Sequence, residues 1–489
     1  MLTKPLDVLV VFTVTTPLVG WIAQKFAYRK LQNIYATLGL SISAYFLYEL
    51  YKDVTEKRII HIEQSPYILS LSACLEIDML GVFMAAVIVM LGIFAAVYSF
   101  KYMERDTGLT EFHTLLLGMI AGMVGVVFAG DFFTLYVFWE LMCLTSYTLV
   151  AFRKHSWEPL EAGFKYLIMS ATGAVTILLA MSFLYGMTGT LNFASLAASL
   201  REVAPNEWLF LTLILIIVGF GINAAIVPFH TWLPDAHPAA PAPISAMLSG
   251  IMIETAVYAL SRVLFLVFQS SQIHWGTVIA ILSVVTMTGG NIMALLQSDV
   301  KRLLAYSSIA QIGYMLVGVA AGTRLGLTGT TFHIFNHALM KGLAFLCAGA
   351  FIYRAKTRKL NELTGIGRRM PMSTIALSIA LFALAGMPPL NGFMSKFVIF
   401  TAAIPVGMAW LATVGVLNSA FSVAYYLRLI LVLIRSKPAR KAAIVKEAPV
   451  TMLAPMCVMS ALIVLFGVWT DPVLNFAQRA ATCLVNRGG

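Results

Sequence analysis

Apolar stretches about twenty residues long run almost end to end through this chain, with short polar or charged connections between them. A helix needs roughly 20 such residues to cross the hydrocarbon core of a bilayer. Inside lipid only helices and closed barrels satisfy their own backbone hydrogen bonds. The 489 residues are 60% hydrophobic and 11% charged, and the mean hydropathy is +0.87, well outside soluble composition. An all-α, polytopic membrane protein is expected. The first stretch follows Lys4 and Asp7 without a small-residue cleavage site, so it reads as the first span and not as a signal peptide.

Fourteen spans are expected, near residues 6–24, 31–50, 75–99, 112–130, 132–152, 163–187, 208–230, 243–268, 275–297, 303–321, 326–352, 373–400, 407–434 and 450–471. The loop charges support this count. The odd-to-even loops hold twenty Lys and Arg, while the even-to-odd loops and termini hold eight. Basic loops stay on the cytoplasmic side, so the chain is expected in the cell membrane with both termini outside. The net charge of +11 follows this topology and does not signal nucleic-acid binding. Cys74, Cys143, Cys347, Cys457 and Cys483 are scattered without a C-x-x-C pair, which argues against iron–sulfur or zinc sites. With no Gly-rich phosphate loop and no haem-type ligand pair, no cofactor or metal is expected in this chain. Any electron chemistry belongs to partner subunits.

Ionisable residues inside the apolar stretches point to function. They are Glu140, Lys165, Glu254, His333, His337, Lys341 and Lys396. Such groups at membrane depth cost several kcal/mol and usually mark an ion or proton path. His333, His337 and Lys341 are spaced by four, which puts them on one helical face about 6 Å apart per step. A proton relay is one reading; a packed polar seam or a two-His metal site are the others. Glu140 must pair or be neutral, and Lys165 on the next span is its expected partner, with Glu161 one turn before. That pair reads either as a proton-sensitive gate or as a static ion pair. Lys396 reads as the end of the path or as a snorkelling side chain.

An internal repeat accompanies these charges. Ala162-x-x-Lys165-x-Leu167-x5-Gly173-Ala174 recurs as Ala338-x-x-Lys341-x-Leu343-x5-Gly349-Ala350, offset by 176. An odd number of spans separates the copies, so they are expected to be inverted. Each half also has one span interrupted by proline: Pro228, close after Asn223, and Pro388-Pro389. Matching breaks in two halves point to a transport site, although an isolated kink would look the same. The expected divisions are 1–111 (spans 1–3), 112–268 (first five-helix repeat, with broken span 7), 269–434 (second repeat, with broken span 12) and 435–489 (span 14 and tail). Asp235 and His237 in the Pro-rich connection, with His230 at its mouth, read as a possible entrance or as turn-stabilising residues. Asp299, Lys301 and Arg302 read as an interfacial cap of span 10. Arg262 and Arg428 read as contacts to partner helices or as bridges between the halves.

These features together resemble the antiporter-like subunits shared by respiratory complex I, Mrp-type cation/proton antiporters and membrane-bound energy-converting hydrogenases. The resemblance covers roughly spans 3 to 13. It is carried by Phe229-His230-Thr231-Trp232-Leu233-Pro234-Asp235-Ala236 and by Leu304-Ala305-Tyr306-Ser307-Ser308-Ile309-Ala310-Gln311-Ile312-Gly313-Tyr314. The segment from His237 to Gly250 looks most like the hydrogenase and archaeal branch. The family pattern implies a glutamate on span 5, lysines on spans 7 and 8, His and Lys on span 11 and an ionisable residue on span 12. Glu140, the His333–His337–Lys341 set and Lys396 match it. Asn223 and Glu254 depart from it, both in the first half.

The resemblance implies a membrane subunit of an energy-converting oxidoreductase complex that couples electron transfer elsewhere to H+ or Na+ movement. Its expected partners are other antiporter-like and small cation-antiporter-type membrane subunits, and peripheral redox subunits carrying iron–sulfur clusters and nickel–iron. A subunit of a Na+/H+ antiporter without redox partners, and a structural paralogue that moves no ions, are the alternatives. Asn223 and Glu254 are the evidence for the last.

Overall fold

The computed structural model of the chain describes residues 4–25, 30–63, 73–202, 204–269 and 273–488. Arg29, one of the counted loop charges, lies outside them. The helices in chain order are α1 Lys4–Lys25, α2 Lys30–Lys57, α3 Met79–Tyr102, α4 Leu109–Phe128, α5 Phe132–Val150, α6 Trp157–Thr188, α7 Phe193–Glu202, α8 Glu207–Asn223, α9 Leu233–Ala239, α10 Ala242–Met247, α11 Ile253–Val263, α12 Gly276–Leu295, α13 Val300–Ala320, α14 Arg324–Ala355, α15 Pro371–Ala385, α16 Asn391–Ala403, α17 Ala409–Ile434, α18 Arg440–Ala443, α19 Val450–Val468 and α20 Asp471–Gly488. Two π turns, Leu248–Met252 and Leu264–Phe268, extend α10 and α11 into one rod.

Eleven stretches among the described residues are helices long and apolar enough to cross a membrane, Ala242–Phe268 among them, and α8 and α15 are shorter apolar helices. The chain is a polytopic, mostly helical membrane protein. Two details add to the mostly helical fold. An antiparallel hairpin pairs β1 Ile60–Glu63 with β2 Cys74–Ile77, in register Ile60↔Ile77, and the expected tail is the helix α20.

Three rods form the centre: Ala242–Phe268, α13 and α14, with 100%, 100% and 94% of their spanning windows buried. A helix that is apolar all round belongs inside, and here the innermost helices also carry the charged groups. Small residues allow α12 and α13 to approach: a Cβ on Gly313 would lie 2.5 Å from Met287 N, and one on Gly290 would lie 2.6 Å from Ala310 N.

Both proline-interrupted spans are broken. α8 stops at Asn223, Ala225 takes a left-handed φ of 54°, and a 3-10 turn, Phe229–Trp232, leads into α9. Breaking a helix frees backbone carbonyls that need new donors. In this half the indole of Trp232 donates to Ile222 O (2.8 Å). In the other half α15 stops at Ala385 and α16 restarts at Asn391. There Leu384 O accepts from Lys396 Nζ (2.7 Å) and Gln311 Nε2 (3.0 Å). One break is closed by an aromatic ring, the other by a lysine and an amide.

The outer ends are tied by buried charge. Arg262, fully buried on α11, bonds Glu76 (2.9 Å) on β2 and Asp78 (2.8 Å), which also caps α3 through Gly81 N (2.7 Å). Arg262 therefore bridges elements within the chain. Arg428 is exposed and donates to Leu295 O (2.7 Å).

Candidate functional site

α14 carries the site. His333, His337 and Lys341 are fully buried on its inner face, as the spacing of four predicts, and Lys341 sits roughly midway along the 32-residue helix. The His333 and His337 rings are 6.0 Å apart. His333 Nδ1 meets Ser395 Oγ (2.8 Å) on α16 and its Nε2 meets Gln311 Oε1 (3.1 Å) on α13. His337 Nδ1 is in direct contact with Glu254 Oε1 on α11. Lys341 Nζ donates to Leu304 O (2.9 Å) and to Ser307 Oγ.

Lys396 follows the second break and is 3% exposed, so it does not snorkel. Besides Leu384 O it donates to Ser419 Oγ (2.9 Å), and its ammonium lies 4.6 Å from the Tyr314 ring centroid. It is within electrostatic reach of His333, His337 and Lys341. Glu254 is in turn within reach of Lys341. One buried string thus runs from Lys396 through His333 and His337 with Glu254 to Lys341.

His237 continues it. The ring is fully buried and stacks on Phe345 of α14, centroids 4.6 Å apart, one turn beyond Lys341. The His237 backbone carbonyl accepts from Lys301 Nζ (3.1 Å). Neither ring nitrogen meets a hydrogen-bonding protein atom among the described residues. Nearby lies a charged cavity of about 500 Å³ lined by Glu158, Glu161, Lys165, Asp235, Asp299 and Arg358. His230 stands to the side, half-buried, 6.4 Å from the Tyr306 ring.

Several expectations fail. Lys165 does not partner Glu140. Its side chain is 48% exposed and bonds Glu161 (2.8 Å) and Asp235 (3.1 Å), because α6 turns that residue toward α9 and two nearer carboxylates. Glu140 is half-buried on the outer stripe of α5 beside exposed Val137 and Leu144. Both stand apart from the string. Asn223 is buried, donating to Cys143 Sγ (3.3 Å). Lys301, expected as an interfacial cap, is 2% exposed and bonded inside the protein. Asp299 alone caps α13, accepting from Lys301 N (2.8 Å) and Arg302 N (3.1 Å).

Sequence reasoning also missed the rail opposite α14. Lys301, Ser307, Ser308, Gln311 and Tyr314 lie along the inner side of α13. Ser308 meets Ser249 (2.5 Å), Ser307 meets Lys341, Gln311 meets His333 and Tyr314 meets Lys396. The signal was present, since four of the five fall inside one quoted signature and recur at helical spacing.

Comparison with known proteins matches this geometry to a family. Residues 129–422 match the family described as NADH:quinone oxidoreductase/Mrp antiporter, transmembrane. Residues 65–113 match the N-terminus of chain 5 of NADH-ubiquinone oxidoreductase (complex I). The F(420)H(2) dehydrogenase subunit N of Methanosarcina mazei is 35% identical over 85% of this chain and 86% of that protein. The NADH-quinone oxidoreductase subunit N of Trichlorobacter lovleyi is 34% identical over 84% and 85%. Among solved structures, a chain of the archaeal membrane-bound sulfane sulfur reductase aligns with a TM-score of 0.90 and 27% identity, covering 98% of this chain and 97% of that one. A chain of respiratory complex I from Thermus thermophilus aligns with a TM-score of 0.77 and 25% identity, covering 96% and 98%. A chain of the Mrp complex from Dietzia sp., at 23% identity, a TM-score of 0.89 and coverage of 99% and 98%, shares the fold. With a matching family over most of its transmembrane bundle and relatives of this identity along nearly its whole length, the chain belongs to the NADH:quinone oxidoreductase/Mrp antiporter family of membrane subunits.

Proposed function

We propose that this chain is the ion-translocating membrane subunit of an energy-converting oxidoreductase complex. It couples electron transfer in partner subunits to H+ or Na+ movement along the buried string. The observation that supports this reading is the set of Lys396, His333, His337 with Glu254, Lys341 and His237, all buried at the centre of the bundle. Lysine, imidazole and carboxylate exchange protons, and no apolar packing requirement explains three such groups on a helix whose spanning stretch is 94% buried. His237 and Asp235 form the inward mouth, with the charged cavity beside them. Fourteen spans in two inverted five-helix repeats, 112–268 and 269–434, flanked by 1–111 and 435–489, are the topology this mechanism uses. The loop charges then put both termini outside the cytoplasmic membrane.

Its partners in this reading are further antiporter-like and small cation-antiporter-type membrane subunits, with peripheral subunits holding iron–sulfur and nickel–iron centres. The curated relatives named above are subunits of a dehydrogenase and of an NADH-quinone oxidoreductase, which favours redox partners over a free-standing antiporter. A second reading applies to the first half alone. Asn223 does not titrate, and Glu140 and Lys165 lie off the string, which supports a first half that lends Glu254 and scaffolds without conducting.

The test is Lys341→Ala in the assembled complex in proteoliposomes. Electron transfer is expected to continue while coupled ion movement, read by a pH dye and by 22Na+ uptake, falls to background. Ion movement at the unaltered level with Lys341 gone would overturn the relay.

A further inference from the structure

The last turn of α9 leaves carbonyls without helical partners, because the chain turns extended at Ala240 (ψ 150°) before Pro241 starts α10. Lys301 of α13 fills that gap. Its Nζ donates to Ala240 O (2.6 Å), His237 O (3.1 Å) and Ser245 Oγ (3.1 Å). Ser245 Oγ spends its own proton on His237 O (2.9 Å) or Pro241 O (3.3 Å), which leaves its lone pairs for the lysine. Three acceptors match the three N–H bonds of an ammonium. The side chain is 2% exposed, on the protein's inner side.

Two carbonyls at a helix break and one hydroxyl, at the negative end of a short helix, are the donor set with which membrane transporters bind Na+. Here the protein's own ammonium occupies it. We propose that Lys301 is a tethered cation filling a Na+-type oxygen cage, and that it makes the inward mouth of the string selective for protons. The inference rests on the proposed ion path and narrows which ion enters it from this side.

The physical argument has two parts. A sodium ion reaching His237 finds these oxygen ligands taken by the Lys301 ammonium, whose like charge repels it. It keeps its whole charge throughout the passage. A proton does not have that problem. Lys341 releases one proton as another arrives on the free imidazole nitrogens of His237, so the charge between the two lysines is handed on and not added to. Lys301 also pins the His237 backbone while Phe345 holds the ring, which sets that ring beside Lys341. Lys301 is a positioning and specificity residue and carries no proton itself.

The experiment compares Lys301→Ser with the unaltered chain in the whole complex, in NaCl and in choline chloride of equal ionic strength. The unaltered complex is expected to show no Na+-specific thermal stabilisation. Lys301→Ser opens the cage and is expected to gain a Na+-dependent rise in melting temperature, saturating in the millimolar range, with 22Na+ uptake during turnover about tenfold above the unaltered level. An assembled Lys301→Ser complex indifferent to Na+ would overturn the proposal. If Lys301→Ser does not assemble, the unaltered complex decides: Na+-specific stabilisation that disappears on Ser245→Ala would show that Na+ already occupies the cage. Its absence, in both, is the expected result. The Lys341→Ala test stands separately, because a failed relay leaves the Na+ response of Lys301→Ser untouched.

Discussion

Glu254 puts a carboxylate on the helix where the family pattern carries an ammonium, and that exchange decides what His337 can do. A lysine there would repel Lys341 and any proton on the imidazole. The carboxylate instead contacts His337 and balances the charge of Lys341. All three are fully buried, so removing one leaves the others uncompensated, at a cost of about 3–5 kcal/mol. Glu254→Ala is expected to lower the melting temperature of the purified complex by several degrees and to abolish ion movement. Glu254→Gln keeps the acceptor and the volume; it should assemble near normally yet lose most of the coupled movement, as read by pH-dye uptake against electron-transfer rate. Equal losses of stability in both variants would mean that Glu254 is structural only. At this scale the sequence was legible where spacing alone decides: His333, His337 and Lys341 face one way because four residues make a turn. It was not legible where orientation depends on a neighbouring helix. Lys165 and Glu140 sit on adjacent spans in the sequence, but α6 faces its lysine toward Asp235 on α9, a contact 70 residues away.

The two broken spans show the same limit for elements. Their prolines announce the breaks, and both are present. What closes each break was not readable, since the donors arrive from elsewhere: Trp232 in one half, Lys396 and Gln311 in the other. The second break depends on Gly386, which ends α15 with φ 83°. A side chain there strains the backbone by about 1–2 kcal/mol, and a Cβ would come within 3.3 Å of Lys396 Cδ. Gly386→Ala is expected to displace Lys396 from Leu384 O, with ion movement falling more than thermal stability; a stability loss with full ion movement would separate Lys396 from the path. The outer hairpin was missed because four-residue strands carry little signal beside spans of twenty. Its anchor is Arg262, between Glu76 and Asp78. Arg262→Met strands two carboxylates against the bundle and should destabilise by about 3–5 kcal/mol, measurable as a lower melting temperature with early protease cleavage near β1 and β2.

Across the whole molecule the chemistry is unequal. The second half contributes the histidines, both buried lysines of the string and the polar break. The first half contributes Glu254, the His237 mouth and an aromatic closure around Asn223, whose amide donates to a thiol. A span count, a sequence repeat and two breaks point to two alike halves. The packing instead gathers the buried titratable groups around α14, with Glu254 and His237 added from the first half, which in the proposed function makes one route. This has a consequence that a two-channel protein would not share. Asn223→Ala removes an amide that does not titrate, and a hydrogen bond worth about 1 kcal/mol, so ion movement per electron should match that of the unaltered complex while Lys341→Ala reduces it to background. Were Asn223→Ala to halve the ion-to-electron ratio with the complex intact, two routes would be running in parallel. A ratio unchanged by Asn223→Ala and lost with His237→Ala would trace a single passage, entering through the first half and crossing the membrane interior in the second.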